Sequence, residues 1–140
     1  MRPPVLAILL LCLAGLAGPA AAVDAADRTA IRRVIDGQLQ AMRRDDAEGA
    51  YAFAAPGVQG QFPSADRFMS MVEQGYKPVF KSRSHAFGSL SETEAGLVQT
   101  VRVKDSRGVE WTALYALEKQ PDGSWRISGC QIVREPGEAV

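Results

Sequence analysis

Hydrophobic spacing changes once along this chain, and that change restricts the fold more than any other feature. Up to about residue 75 the apolar residues recur with a helical period. Ile31, Val34, Ile35, Gln38, Leu39 and Met42 form one stripe over residues 27–44, the spacing of an amphipathic helix. Asp27 is placed to cap its start, and Arg43-Arg44 stand where the helix dipole favours cations. Asp45 or Asp46 begins a second short helix over 46–54, stopped by Pro56-Gly57. Residues 57–63 read as a loop. Ser64 starts a third helix over 65–74, with Phe68, Met69, Met71 and Val72 as its apolar face and Gly75 as its end. Tyr76-Lys77-Pro78 reads as an extended link, because a residue before proline avoids the helical region.

From Val79 the pattern is that of strands, over 79–90, 97–104, 109–119 and 125–134. Asp105-Ser106-Arg107-Gly108 and Gln120-Pro121-Asp122-Gly123 supply hairpin turns between them. Helices first and strands afterwards define an α+β class: three helices packed on a curved, four-stranded antiparallel meander.

The N-terminus stands apart from this pattern. Met1-Arg2-Pro3-Pro4 is a short cationic start, residues 5–17 are apolar, Gly18-Pro19 breaks the run, and Ala20-Ala21-Ala22 is a small-residue cleavage site. That is the layout of a secretory signal peptide, and the apolar run is short for a membrane span. Residues 1–22 are therefore expected to be removed on export, with the membrane met only in transit, and residues 23–140 to form a single periplasmic or secreted domain. Cleavage takes away Arg2 and Cys12. It leaves 118 residues with 15 basic and 16 acidic side chains, net −1, and Cys130 as the one remaining cysteine. A near-neutral domain gives no footing for nucleic acid. One cysteine and one histidine give none for a Cys/His zinc site, and no intramolecular disulfide can form. Cys130, in an apolar strand, reads as a buried thiol.

Strand faces carry the next inference. Leu97, Gln99, Val101 and Val103 share one face of the second strand, and Trp111, Ala113, Tyr115 and Leu117 one face of the third. On the fourth, strict alternation puts Trp125, Ile127, Gly129, Gln131 and Val133 together, with Cys130 and Ile132 opposite. Leu114, Ala116, Cys130 and Ile132 then form an apolar patch on the outer face, where a solvated sheet should be polar. A homodimer through that face accounts for it; cover by a helix or by the tail is the alternative.

The element order, with Asp122-Gly123-Ser124-Trp125-Arg126-Ile127 opening the last strand, resembles the nuclear-transport-factor-2-like superfamily, also called cystatin-like cones. Three stretches resemble more closely an exported bacterial family of unknown function, number 4864 of the domain-of-unknown-function series. They are Ile35-x-x-Gln38-Leu39-x-Ala41, Gly75-Tyr76-x-Pro78-Val79 and Trp125-Arg126-Ile127-Ser128-Gly129-Cys130, and the likeness spans about residues 28–134. In the superfamily, sheet and helices often enclose a pocket at the wide end of the cone. Its members include ketosteroid isomerases, epoxide hydrolases, dehydratases and polyketide cyclases, alongside proteins that only bind or assemble. The resemblance implies a cone and no particular chemistry.

The residues offer few reactive groups. His85 is the one histidine, on a strand face with Arg83 and Phe87. Facing a cavity it would serve as a general base, with Tyr115 as a hydroxyl partner; otherwise it is a structural or surface residue. Gln38, Gln99 and Gln131 each interrupt an apolar stripe, and a buried amide must be hydrogen-bonded. With Tyr115 they form a candidate ligand-binding set, or else an internal network. Tyr51 and Tyr76 are candidate rim or core aromatics. No spacing indicates a metal site, a phosphate-binding loop or a nucleophile elbow, so no cofactor or metal is expected. The function expected is non-catalytic binding of a small apolar ligand or an envelope protein partner. The alternatives are a cone-cavity enzyme performing isomerase- or dehydratase-like proton transfer, and a pocketless structural homodimer.

Overall fold

A computed structural model describes residues 23–94 and 96–134; the expected leader and the tail beyond Arg134 lie outside the described residues. Among these, five helices precede four strands: α1 (Ala25–Arg43), α2 (Ala47–Ala52), α3 (Pro56–Gln61), α4 (Ala65–Gly75), α5 (Lys77–Phe80), β1 (Ser84–Thr93), β2 (Gly96–Lys104), β3 (Glu110–Lys119) and β4 (Trp125–Arg134). The sheet is an antiparallel meander in the order β1-β2-β3-β4. The α+β class expected from the spacing is the one observed.

Helix α1 buries Ile31, Ile35, Leu39 and Met42 against the inner face of the sheet, where Val101, Val103, Ala113 and Leu117 are also buried. Its cap differs from expectation. Asp24 accepts from the Asp27 backbone N–H at 2.8 Å. This frees the Asp27 carboxylate to accept from Trp125 Nε1 at 3.1 Å, with Lys119 Nζ 3.6 Å away. The Trp125 bond, against a smaller opposing effect of burial, holds the Asp27 carboxyl below its usual range. Asp27 thus fastens the start of α1 to β4 instead of capping it. Asp36 does the equivalent for β1, through His85. Asp46 and Ser64 cap α2 and α4, accepting from Gly49 and Arg67 at 2.9 and 3.1 Å. Arg43, exposed at the helix end, also ties it to the chain before β1: its Nε donates to the Ser82 carbonyl at 2.9 Å.

Two segments expected to be non-helical are short helices. The 57–63 loop contains α3, started by Pro56 at its first turn, and Pro78 sits in the first turn of α5. Proline lacks an N–H that the first turn does not use, so it begins a helix as readily as it ends one. The first strand begins at Ser84, later than expected, because α5 takes up residues 77–80.

Each edge strand carries an irregularity. On β1, Phe87 pairs with Val101 and Leu90 with Gln99, so Gly88-Ser89 stand opposite a single residue. On β4, Ile127 pairs with Leu117, and Gly129 pairs with Ala116, which leaves Ser128 as the extra residue. An extra residue reverses the faces of everything beyond it. Ile127 is inward and 5% exposed, yet Cys130 pairs with buried Tyr115 and also points inward, while Gln131 pairs with Leu114 and is exposed. The expected assignment of Gly129, Gln131 and Val133 to the inner face is corrected accordingly. The outer patch loses Cys130 and Ile132 and retains Leu114 and Ala116, with Val98 and the 43%-exposed Val133 beside them.

The hairpin turn after β2 is organised by one carboxylate. Asp105 accepts from the backbone N–H of Arg107 and Val109, each at 2.9 Å, and from Trp111 Nε1 at 3.0 Å. Burial alone would raise its carboxyl, but these three donors outweigh burial and hold it below the usual value.

Candidate functional site

A cavity of about 350 Å³ lies between the helices and the bulged half of β4. Met42 on α1, Val58 on α3, Phe68, Met71 and Val72 on α4, and Val79 on α5 give it apolar walls. The floor on the sheet side is Ile127, Ser128, Gly129 and Cys130. Local sequence explains this shape. The Ile127 N–H donates to the Phe53 carbonyl and its carbonyl accepts from Ala55 N–H, both at 2.8 Å, so the α2–α3 connection closes over the edge of β4 at that residue. The bulge then directs Cys130 into the interior one residue out of phase.

The cavity is neutral. Among the described residues no Asp, Glu, Lys, Arg or His lines it. Its polar groups are Gln38, Gln61, Tyr76, Ser128 and the Cys130 thiol. Gln38 is 3% exposed, and its Nε2 donates to the Ala50 carbonyl at 3.1 Å. That leaves the amide oxygen and the second N–H for a cavity occupant. Burial pushes the Cys130 thiol up to about 12, so it is an uncharged wall group and a poor nucleophile. Tyr115 stands behind it, 1% exposed. Its hydroxyl has no nitrogen or oxygen partner and lies against the thiol. Burial first, and Cys130 after it, hold that hydroxyl protonated well above its ordinary value.

The other sequence-selected residues lie elsewhere. Gln99 is buried, but its Nε2 lies 3.0, 3.3 and 2.9 Å from the carbonyls of Gly88, Ser89 and Thr100. Its amide seals the β1 bulge, which the structural reading of these amides anticipates. Gln131 is on the outer face, for the reason given by the β4 bulge. Tyr51 does not reach the cavity; its hydroxyl donates to the Phe62 carbonyl at 2.7 Å and braces α2 against the end of α3. Of the ligand-binding set, Gln38 lines the cavity, and Tyr115 lies just behind its wall.

His85 also lies away from the cavity. Its Nε2 is 3.0 Å from Asp36 Oδ1, Phe87 packs against its ring at 5.5 Å, and Nδ1 is buried without a partner. It borders a separate recess of about 200 Å³ with Ser84, Arg102 and Glu110. The carboxylate partner was invisible in the sequence because Asp36 sits 49 positions away on the flank of α1. His85 and Tyr115 therefore do not share one lined cavity. Among the described residues no group of His, Cys, Asp and Glu is placed to hold a metal, and no helix is long and apolar enough to cross a membrane.

The sequence signal that sequence reading missed is a glycine inside each edge strand, Gly88 and Gly129, each beside a serine at the irregularity. An isolated strand glycine is a mark of a bulge.

Comparison with known families gives the class. A family described as Domain of unknown function (DUF4864) matches residues 24–140. The chain belongs to that family. No curated protein and no solved structure matches it.

Proposed function

We propose that this chain is an exported binding module that holds one small apolar ligand in the cavity beside the β4 bulge, without chemistry on it. The observation that carries the reading is the cavity itself: about 350 Å³, apolar-walled and, among the described residues, lined by no ionised group. Binding cavities are concave, mostly apolar and equipped with a few placed polar groups, and Gln38, Ser128 and Cys130 have that character here. A catalytic centre would require a base facing the ligand; the one histidine is engaged by Asp36 outside the cavity. The helices-then-meander order supports membership of the nuclear-transport-factor-2-like superfamily. Export is supported by the leader pattern and by a family match that starts at residue 24, just past the expected cleavage after Ala22.

The test is occupancy. Protein recovered from the periplasm is extracted with organic solvent and analysed by mass spectrometry, beside a Val58→Trp variant that fills the cavity. A compound carried by the parent and absent from the variant is expected. Identical extracts would remove the reading.

Pairing of two copies through the outer sheet face is a second reading, favoured by Val98, Leu114, Ala116 and Val133 on that side. Light scattering at micromolar concentration decides it: a dimer mass is expected, and a monomer mass refutes it.

A further inference from the structure

We infer that the cavity selects a neutral medium-chain amphiphile bearing a hydroxyl, with the hydroxyl directed to Gln38. The inference rests on the ligand-binding reading and specifies its ligand class.

Size is the first constraint. A water occupies about 30 Å³ in the liquid, so 350 Å³ accommodates on the order of a dozen heavy atoms. That suits a chain of about eight carbons with a small head, not a two-chain lipid. The second constraint is charge. An ion taken from water into an apolar cavity needs a counter-charge or a full set of hydrogen bonds. Among the described residues the lining offers neither: no acidic or basic side chain lines it, and the thiol is held in its neutral form. Carboxylates and ammonium ions are therefore disfavoured alike.

Hydrogen bonding is the third constraint. Gln61 and Ser128 are exposed and stay hydrated with or without a ligand, whereas Gln38 is buried. With one N–H committed to Ala50, its amide presents one acceptor and one donor. An alcohol, which both donates and accepts, satisfies both; a hydrocarbon satisfies neither and leaves the amide desolvated. The Tyr115 hydroxyl is buried without an oxygen or nitrogen partner behind the Cys130 thiol and does not line the cavity, so Gln38 is the buried polar side chain left to meet the ligand's hydroxyl.

The experiment titrates the purified protein calorimetrically with 1-octanol, octanoate and octylammonium at neutral pH. Octanol is expected to bind at least tenfold more tightly than either ion. An ion that binds within threefold of octanol overturns the selectivity while leaving the binding reading intact. Failure of all three to bind overturns both. In Gln38→Leu, checked for folding by its thermal transition, octanol affinity is expected to fall about fivefold. Unchanged affinity in a folded variant refutes the role of Gln38. The alcohol-to-ion comparison on the parent protein needs no variant and decides the matter if that substitution unfolds the chain.

Discussion

The two edge strands carry the same kind of irregularity and put it to opposite uses. On β1, Gly88-Ser89 stand opposite one residue, and the freed carbonyls are gathered by the Gln99 amide. On β4, Ser128-Gly129 break the pairing. The α2–α3 connection takes the backbone only at Ile127, and the following residues open onto the cavity. One bulge is plugged by a side chain from the neighbouring strand; the other is left as a wall. A bulge exposes backbone and re-aims side chains. The residue in register beside it decides whether that becomes a sealed core or a lined space. Gln99 on one side and the Tyr115–Cys130 pair on the other make the difference.

Three changes probe this contrast. The largest effect is expected from inserting one alanine between Gly129 and Cys130. The pairing of β4 beyond Gly129 would shift by one, turning Cys130 and Ile132 outward and Gln131 into the core. Loss of a cooperative thermal transition is the outcome expected; an insertion variant melting within a few degrees of the parent would show that β4 absorbs a second extra residue. Next comes Gln99→Leu. It strips the half-buried carbonyls at the β1 bulge of their donor, a penalty of about 1 kcal/mol, read in denaturant unfolding. Ligand occupancy of the cavity should not change. A stabilised variant that loses its ligand would reverse the assignment of the two bulges. The smallest effect is expected at Gln131, whose exposed amide on the outer face makes Gln131→Ala neutral within about 0.5 kcal/mol. A loss of several times that size would place it back in the interior.

Much of the fold was legible before the structure. The class, the meander, the bounds of β4 and the cap at Ser64 all follow from spacing and turn residues, and of the two aspartates offered for the second helix Asp46 is its cap. The inner faces of β2 and β3 were also readable, because the pairing between these two strands contains no extra residue. What escaped has a physical cause in each case. Pro56 and Pro78 begin helices, and a proline marks a helix start and a helix stop with the same letter. The second half of β4 was assigned to the wrong face, because strict alternation cannot register an extra residue. That error moved Gln131 into a site it does not belong to and gave Cys130 to the outer patch. His85 found its partner only through packing, since the flank of α1 that carries Asp36 meets β1 in three dimensions. Gln38 and Gln99 look alike in sequence, each a lone amide in an apolar stripe. Only the local supply of unpaired carbonyls separates them.

The inward turn of Cys130 has a practical corollary. A thiol held near 12 carries roughly a thousandfold less thiolate than an ordinary cysteine at the same pH, and the thiolate is the species that reacts. Alkylation of the native protein should therefore be slow, with the reagent reaching the sulfur through the cavity that it lines. The rate of label uptake becomes a clock for access to that cavity. Slowing of the clock by an added compound would register a bound guest, even one with no chromophore and no measurable heat.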